Sequence, residues 1–503
     1  MINSYSLVRH GAGTYYQIPL EAWRRGLTVT FVKDSKHFRI SSGNNTHFFT
    51  GSALIDDELC LRAGQICHYK EVTKQYLSKN NVSVPKGKYF DHSNTNEEVL
   101  SYAESFDFPL VLKPTNGSSG AGVFANVKDL VSLKECLVYV RTQLNYKSII
   151  IEERIEGDDI RVFVVGNKVI AAAKRVPANI TGNGKDSIKK LIKYKNIERN
   201  KNIMLRKSPI IIDKEVLDSL KLLGYNLSSI PRKGEKIFLR DKCNVSAGGD
   251  HVDITDDLPD RVKDIAIRAI KTVPGLQHGG VDVMYNVDNS DNPCAVIEIN
   301  SRAMICGHLY PWEGKPREVI AALIDYHFPE SIPNKEKNKN LYFDFDDIKI
   351  HLCDWREFGN ITNCNAKTEV TLTPPATNKV VAREIIVSGK VQKVGFRSWA
   401  QERAKELNLF GFAENFKSDK VRIVVAGDEE NVLSLAKLCK TGPSKARVED
   451  LVIKETNQPV YLGFYIKLNM IEYLRNESKI ALRLIKQRIV FYHKQKKMYT
   501  SDL

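Results

Sequence analysis

Long apolar runs are missing from this chain of 503 residues. None approaches the roughly 20 consecutive apolar residues of a membrane-spanning helix, which excludes a helical membrane protein. The opening residues, MINSYSLVRHGAG, lack a charged region followed by an apolar core, so no signal peptide is expected. Paired cysteines are missing too. Nine are scattered from Cys60 to Cys439 with no CxxC pair. That speaks against a disulfide framework or a zinc site and for reduced thiols in a cytoplasmic location. No RNA-binding motif is present. The net charge of +15 is spread along the chain, which gives no argument for a nucleic-acid partner. Hydrophobic content of 42% and charged content of 27% are ordinary for a globular protein, and the length predicts several domains. A basic balance also suits anionic small substrates such as nucleotides.

What is present begins at Leu110–Val123, LVLKPTNGSSGAGV. A short apolar strand runs into Lys113 and Pro114, then into the loop Asn116–Gly122. Such a loop exposes backbone N–H groups that fold over an anion, and a lysine at its base adds a point charge. It is not a Walker A loop, because no Gly-Lys-Ser/Thr ends it. Upstream, Lys70–Leu77 has helical spacing and runs into Val82–Pro85, which reads as a strand. Lys70 then stands at a helix start, a poor place for a cation without an anionic partner. Before it, Leu27–Val32 and Phe38–Ile40 read as strands, Gly51–Asp57 as a turn, and Glu58 onward as a helix.

Two further stretches carry charge in a strand context. In SIIIEERIEGDDIRVFVVGNKVIAAAK, from Ser148 to Lys174, strands flank a charged connection, and Gly166-Asn167 joins a hairpin. This suits an adenine slot formed by Glu153–Ile155, with Asp159 toward the ribose. In GGVDVMYNVDNSDNPCAVIEIN, from Gly279, Asp282 lies in one strand and Glu298 and Asn300 in the next. Two residues apart, Glu298 and Asn300 share a face. Three oxygen ligands on paired strands suit Mg²⁺ held together with nucleotide phosphates. Read alone, each stretch has an ordinary alternative: a surface loop, a solvated hairpin edge, one wet strand face.

Taken together and in order, they resemble the ATP-grasp superfamily over Lys70–Pro329. The resemblance is closest to the branch with cyanophycin synthetases and bifunctional glutathione synthetases. It is carried by EERIEGDDIRVFVV (152–165), KRVPANITGNG (174–184), FLRDKCNVSAGGDHVD (238–253), residues 279–302, and HLYPWEGKPREVIAALIDYHFP (308–329). The resemblance implies ATP-dependent carboxylate–amine ligation through an acyl phosphate, with release of ADP. Lys70 and Lys113 then contact ATP phosphates, and Ser118, Ser119 and Gly120 belong to a closing lid. Glu152, Glu153, Arg154 and Ile155 form the adenine hinge, and Asp159 meets the ribose. Asp282, Glu298 and Asn300 hold Mg²⁺, with Mn²⁺ as an alternative. Arg240, with residues 244–249, stands beside the transferring phosphate. Where relatives often have Pro-Gly, this chain has Ser301-Arg302-Ala303-Met304. That loop usually faces the substrates, which makes Arg302 a further catalytic candidate and leaves the substrates open. Amino acids or peptides are expected there.

Residues 381–468 form a separate unit. Strand, glycine loop, helix, strand, strand and helix follow one another, the split βαβ, ferredoxin-like order. The loop Ser388–Phe396 opens into a helix carrying Arg397, so backbone donors and a guanidinium make an anion cradle. This unit resembles acylphosphatase. The resemblance assigns Arg397 to phosphate and Asn415 to the attacking water. Lys393 departs from the family, which usually has glycine there.

The expected organisation is α/β and α+β: an N-terminal region (1–66), an ATP-grasp domain (67–330), a linker region (331–380), the acylphosphatase-like domain (381–468) and a basic helix (469–503). A homo-oligomer is compatible with this reading. The rival readings are an ATPase or acyl-phosphate hydrolase without ligation, and a silent nucleotide-binding regulator.

Overall fold

The computed structural model describes residues 14–32, 37–117, 121–286, 294–335, 338–343, 369–373, 380–417 and 419–468, with Phe345, Ile348 and Leu352. Ser118, Ser119 and Gly120 of the expected lid, and the expected basic helix 469–503, lie outside the described residues. Among the described residues, no helix is long and apolar enough to cross a membrane. The chain divides into two compact units: Met1–Lys335 with Phe345–Pro374, and Glu336–Asp344 with Pro375–Leu503.

Among the described residues the first unit opens with the helix Thr14–Arg24, followed by an antiparallel sheet. Its strands run in the order Glu369–Leu372, Thr28–Val32, His37–Ser42, Asn45–Thr50 and Ala53–Leu54. The helix Glu58–His68 follows, with Asp57 capping it through the N–H of Cys60. The helix Lys70–Lys79 comes next. The expected strand at 82–84 does not form. Asn81 is left-handed at φ 57, and the Val82 N–H bonds back to Leu77 O, closing the helix. Pro85 offers no donor, and the strand begins later, at Gly87–Phe90.

Two sheets then carry the polar groups of interest. A four-stranded sheet has the order Gly87–Phe90, Ile149–Glu153, Leu110–Pro114, Phe124–Val127. Phe90, Leu110, Leu112, Ile149 and Ile151 line its buried side, packed with residues of the helices Asn96–Ala103 and Leu130–Val138. Strand alternation therefore puts Lys113, Ile150 and Glu152 on the other side. A five-stranded antiparallel sheet has the order Asp250–Asp253, Lys168–Val176, Asp158–Val165, His278–Tyr285, Ala295–Asn300. Its apolar face, with Ile160, Val162, Val164, Ala172, Val281, Val283 and Ile299, packs on the helix Asp260–Thr272. That helix presents Val262, Ile265, Ala266, Ala269 and Ile270 at helical spacing. The hairpin Asp158–Val176 turns at Gly166-Asn167, where the sequence places it.

In the second unit the sheet order is Arg447–Glu455, Val380–Lys390, Lys420–Asp428, Phe410–Phe416, Phe464–Lys467. The helices Phe396–Glu406 and Glu429–Cys439 cover a core that includes Ile385, Val387, Ala400, Ile423 and Leu435. This is the ferredoxin-like order read from the sequence, with one extra parallel strand at its edge. The stretch 331–380, expected as a linker, carries two strands. Leu341–Tyr342 pairs with Val460–Tyr461 in the second unit, and Glu369–Leu372 pairs with Thr28–Val32 in the first.

Candidate functional site

Alternation along the five-stranded sheet lines up charged residues on the face opposite the core. Arg161, Asp282 and Glu298 stand directly opposite one another across three strands. Two residues along, Asp159 faces Arg175, and Arg175 faces His251. Arg161 closes both oxygens of Asp282, donating from Nε to Oδ1 and from Nη2 to Oδ2, the latter at 3.0 Å. Arg175 donates to Asp159 Oδ1 at 2.6 and 2.9 Å and to Asp282 Oδ2 at 2.9 Å. Burial alone would raise the Asp282 carboxyl, but the two guanidiniums outweigh it and hold it below the usual range. For Asp159 burial wins: despite Arg175 its affinity for a proton is raised, and the charge of Asp282 adds to this. Burial, then the neighbouring His308 and the two arginines, push His251 down to about 3, so it is neutral.

On the four-stranded sheet, Glu152 is buried and accepts from two lysines. Lys113 meets Oε1, and Lys74 Nζ donates to Oε2 at 3.0 Å. Lys70 does occupy the first position of its helix. It finds anionic company there: Nζ donates to Gly117 O at 3.0 Å and lies 3.2 Å from Glu298 Oε1. The start of one helix is thereby tied to the loop after Lys113 and to the far strand of the five-stranded sheet.

The remaining candidates are spread more widely. Glu153 Oε1 accepts from the Lys86 N–H at 2.7 Å, Arg154 donates to Asn126 Oδ1 at 2.7 Å, and Ile155 is buried. Arg302 donates to the Tyr15 hydroxyl at 3.2 Å. Arg240 is bound at the start of the helix Lys214–Leu222, to Asp213 Oδ2 at 2.6 Å and to Glu215.

Asp282 and Glu298 are register partners, and Asn300 lies two residues on with its Nδ2 buried and without a hydrogen-bond partner among the described residues. That NH2 is a donor, so an acceptor oxygen of a further bound group would satisfy it, while the amide oxygen is the atom suited to a cation. The donor set is oxygen-rich, which fits Mg²⁺ or Mn²⁺ better than a soft metal. Among the described residues no cluster of three or more His, Cys, Asp or Glu gathers as a metal site.

In the second unit, Arg397 is the second residue of the helix Phe396–Glu406, behind the loop that ends at Gly395. Asn415 lies on the strand Phe410–Phe416, against which that helix packs. Lys393 has φ 60, the left-handed conformation that glycine adopts most easily.

Reading the sequence missed Arg161, Arg175 and Lys74. Signals for them existed. Arg161 is two residues from Asp159 on one strand, hence on one face. Lys74 is four residues from Lys70 on a helix, again on one face.

Comparison with known proteins follows this division. Residues 68–188 match the RimK-like ATP-grasp domain, and residues 383–466 match acylphosphatase. The cyanophycin synthetase of Synechocystis sp. is 31% identical over 275 residues, 53% of this chain and 31% of that protein. The glutathione biosynthesis bifunctional protein of Clostridium perfringens is 30% identical over 316 residues, 61% of this chain and 40% of that protein. The chain thus spans well under half the length of these relatives. A solved acylphosphatase from Coxiella burnetii is 30% identical, over 18% of this chain and 93% of that one, with a TM-score of 0.17. This chain is therefore a fusion of an ATP-grasp domain, homologous to those of cyanophycin synthetases and bifunctional glutathione synthetases, with a C-terminal acylphosphatase domain.

Proposed function

We propose that the first unit is an ADP-forming ligase that joins the carboxylate of an amino acid or peptide to an amine. The observation that carries this reading is the convergence of Lys70 and Glu298, on a helix start and a distant strand, beside the row Arg161–Asp282–Glu298. The match to an ATP-grasp domain and relatives named for cyanophycin synthesis and glutathione biosynthesis support it.

In this reading a substrate carboxylate oxygen attacks the γ-phosphorus of ATP, and the bond to the bridging oxygen of ADP breaks. The amine nitrogen then attacks the acyl carbon, the C–O bond to phosphate breaks, and the nitrogen gives up a proton. Lys70 and Lys113 bind and orient the phosphates. Arg161 and Arg175, fixed by buried carboxylates, offer cations that need no reorganisation as charge builds. Asp159 serves the ribose, and Glu152–Ile155 the base. Asp282, Glu298 and Asn300 would hold Mg²⁺, or Mn²⁺ in its place, which when bound neutralises phosphate oxygens. No covalent protein nucleophile is required, and the protein acts by positioning and charge.

The second unit, in this reading, hydrolyses acyl phosphates: Arg397 and the loop before it hold phosphate, and Asn415 orients water. A domain that makes an acyl phosphate is then joined to one that clears it when the wrong acid has been activated, as editing does in other synthetases. A cytoplasmic location belongs to the same proposal. The test is incubation with Mg-ATP and pools of amino acids, measuring ADP, AMP, phosphate and product masses. ADP together with a product weighing the sum of an acid and an amine less water is expected. AMP would overturn the acyl-phosphate route, and ADP without a condensed product would favour hydrolysis alone.

A further inference from the structure

Lys113 has a task in phosphate binding, and Lys74 so far has none. Yet Lys74 is largely buried and ion-paired at 3.0 Å to a carboxylate that is itself buried. It lies one helical turn after Lys70, and the two side chains go to different sheets: Lys70 to Glu298, Lys74 to Glu152. Glu152 is almost sealed from solvent, with its side chain 3% exposed, and Lys113 is 7% exposed. Lys74 reaches in from the helix with its side chain 20% exposed. Two ammonium groups therefore share one buried carboxylate.

That count of charges matters for Lys113. A buried carboxylate facing a single ammonium makes a closed pair, and moving that ammonium to a phosphate would strand the carboxylate without a partner. With a second ammonium on its other oxygen, Glu152 stays paired when Lys113 turns away. The trio also carries a net positive charge, which a neutral pair does not. Burial works against Lys74, lowering its affinity for a proton, while Glu152 offsets this. A charged lysine kept there at such a cost is matched to a neighbour that needs it.

We propose that Lys74 is a positioning residue for nucleotide binding: by keeping Glu152 paired, it leaves Lys113 free to engage the polyphosphate of ATP. The proposal rests on the reading of Lys113 as a phosphate-contacting lysine.

The test compares Lys74→Met, Lys74→Gln and Lys74→Arg with the wild-type full chain. Mg-ATP binding is measured by calorimetry and adenosine binding by displacement. Lys74→Met and Lys74→Gln are expected to weaken Mg-ATP about tenfold while leaving adenosine within about twofold. Lys74→Arg, which keeps the charge, is expected to stay within about threefold of wild type for both. Equal Mg-ATP affinity in wild type, Lys74→Met and Lys74→Gln would overturn the proposal alone. So would a parallel loss of ATP and adenosine, since that is what a loosened fold produces. If Lys74→Met does not fold, Lys74→Gln carries the same comparison, because its polar amide is easier to accommodate while the positive charge that balances Glu152 is still lost. A wild-type chain that binds no Mg-ATP would overturn the reading of Lys113 as a phosphate-contacting lysine, and this proposal with it.

Discussion

Arg175 and Asp282 sit on strands that are not neighbours, yet Arg175 Nη2 donates to Asp282 Oδ2 at 2.9 Å across the strand Asp158–Val165. The same guanidinium holds Asp159. One side chain thus joins two carboxylates, Asp159 on the middle strand and Asp282 on the strand beyond it.

Removing that guanidinium is expected to cost more than a surface ion pair. Arg175→Met should lower unfolding free energy by about 3–5 kcal/mol, because two carboxylates lose a buried partner. Arg175→Lys should recover only part, since an ammonium cannot fork between two acids. Denaturant unfolding of the three proteins checks both statements.

The sequence shows this site in part. Period-2 alternation puts Glu298 and Asn300 on one face, and the hairpin at Gly166-Asn167 is readable from its turn residues. The pairing of Asp282 with Arg161 and Arg175 is not readable that way. It depends on which strands become neighbours and in what register, and alternation within one strand says nothing about either. The same limit applies to Lys74, whose partner comes from 78 residues away. The expected strand at 82–84 failed for a local reason, a left-handed Asn81 that ends the preceding helix. The strand Glu369–Leu372 escaped notice because an edge strand pairs on one side only and needs little apolar pattern.

A second expectation concerns acid. The His278 Nε2–H faces the Ser52 carbonyl, so its Nδ1 accepts from His327 Nε2 at 3.2 Å. Burial pushes His278 down to about 4 against its hydrogen bond to Ser52, and burial with the neighbouring His278 pushes His327 down to about 2. Both are neutral when folded and take up protons near pH 6.5 when unfolded. Their contribution is fully present above pH 6.5 and is lost progressively as pH falls toward 4 and below. At pH 5 each should cost about 2 kcal/mol. Melting wild type and His278→Gln between pH 7.5 and 5 should give a shallower slope for the variant.

Lys393 offers a substitution expected to stabilise. A lysine at φ 60 holds a strained backbone that glycine relieves. Lys393→Gly should raise stability of the second unit by about 0.5–1 kcal/mol, after the greater flexibility of unfolded glycine is offset. Thermal unfolding reports this, and acetyl phosphate hydrolysis should be retained or increased.

Arg397→Ala should lower acetyl phosphate hydrolysis by about 10²–10³-fold, the scale of losing one group that stabilises a developing negative charge. If the two activities are coupled, ADP formation in the absence of an amine should change as well. Unchanged ADP formation would mean that the two domains share a chain for another reason.

The path of the chain has a consequence for inheritance. It leaves the first unit after Lys335, returns at Phe345, and leaves again after Pro374. A strand made late, Glu369–Leu372, completes a sheet begun at Thr28. Recombination at a single point can append or remove a module only where each module is one continuous stretch of gene. Here a single crossover anywhere between 336 and 374 would strip one unit of a strand or leave the other with a foreign one. The two domains are therefore expected to pass between genomes together, as one hereditary block.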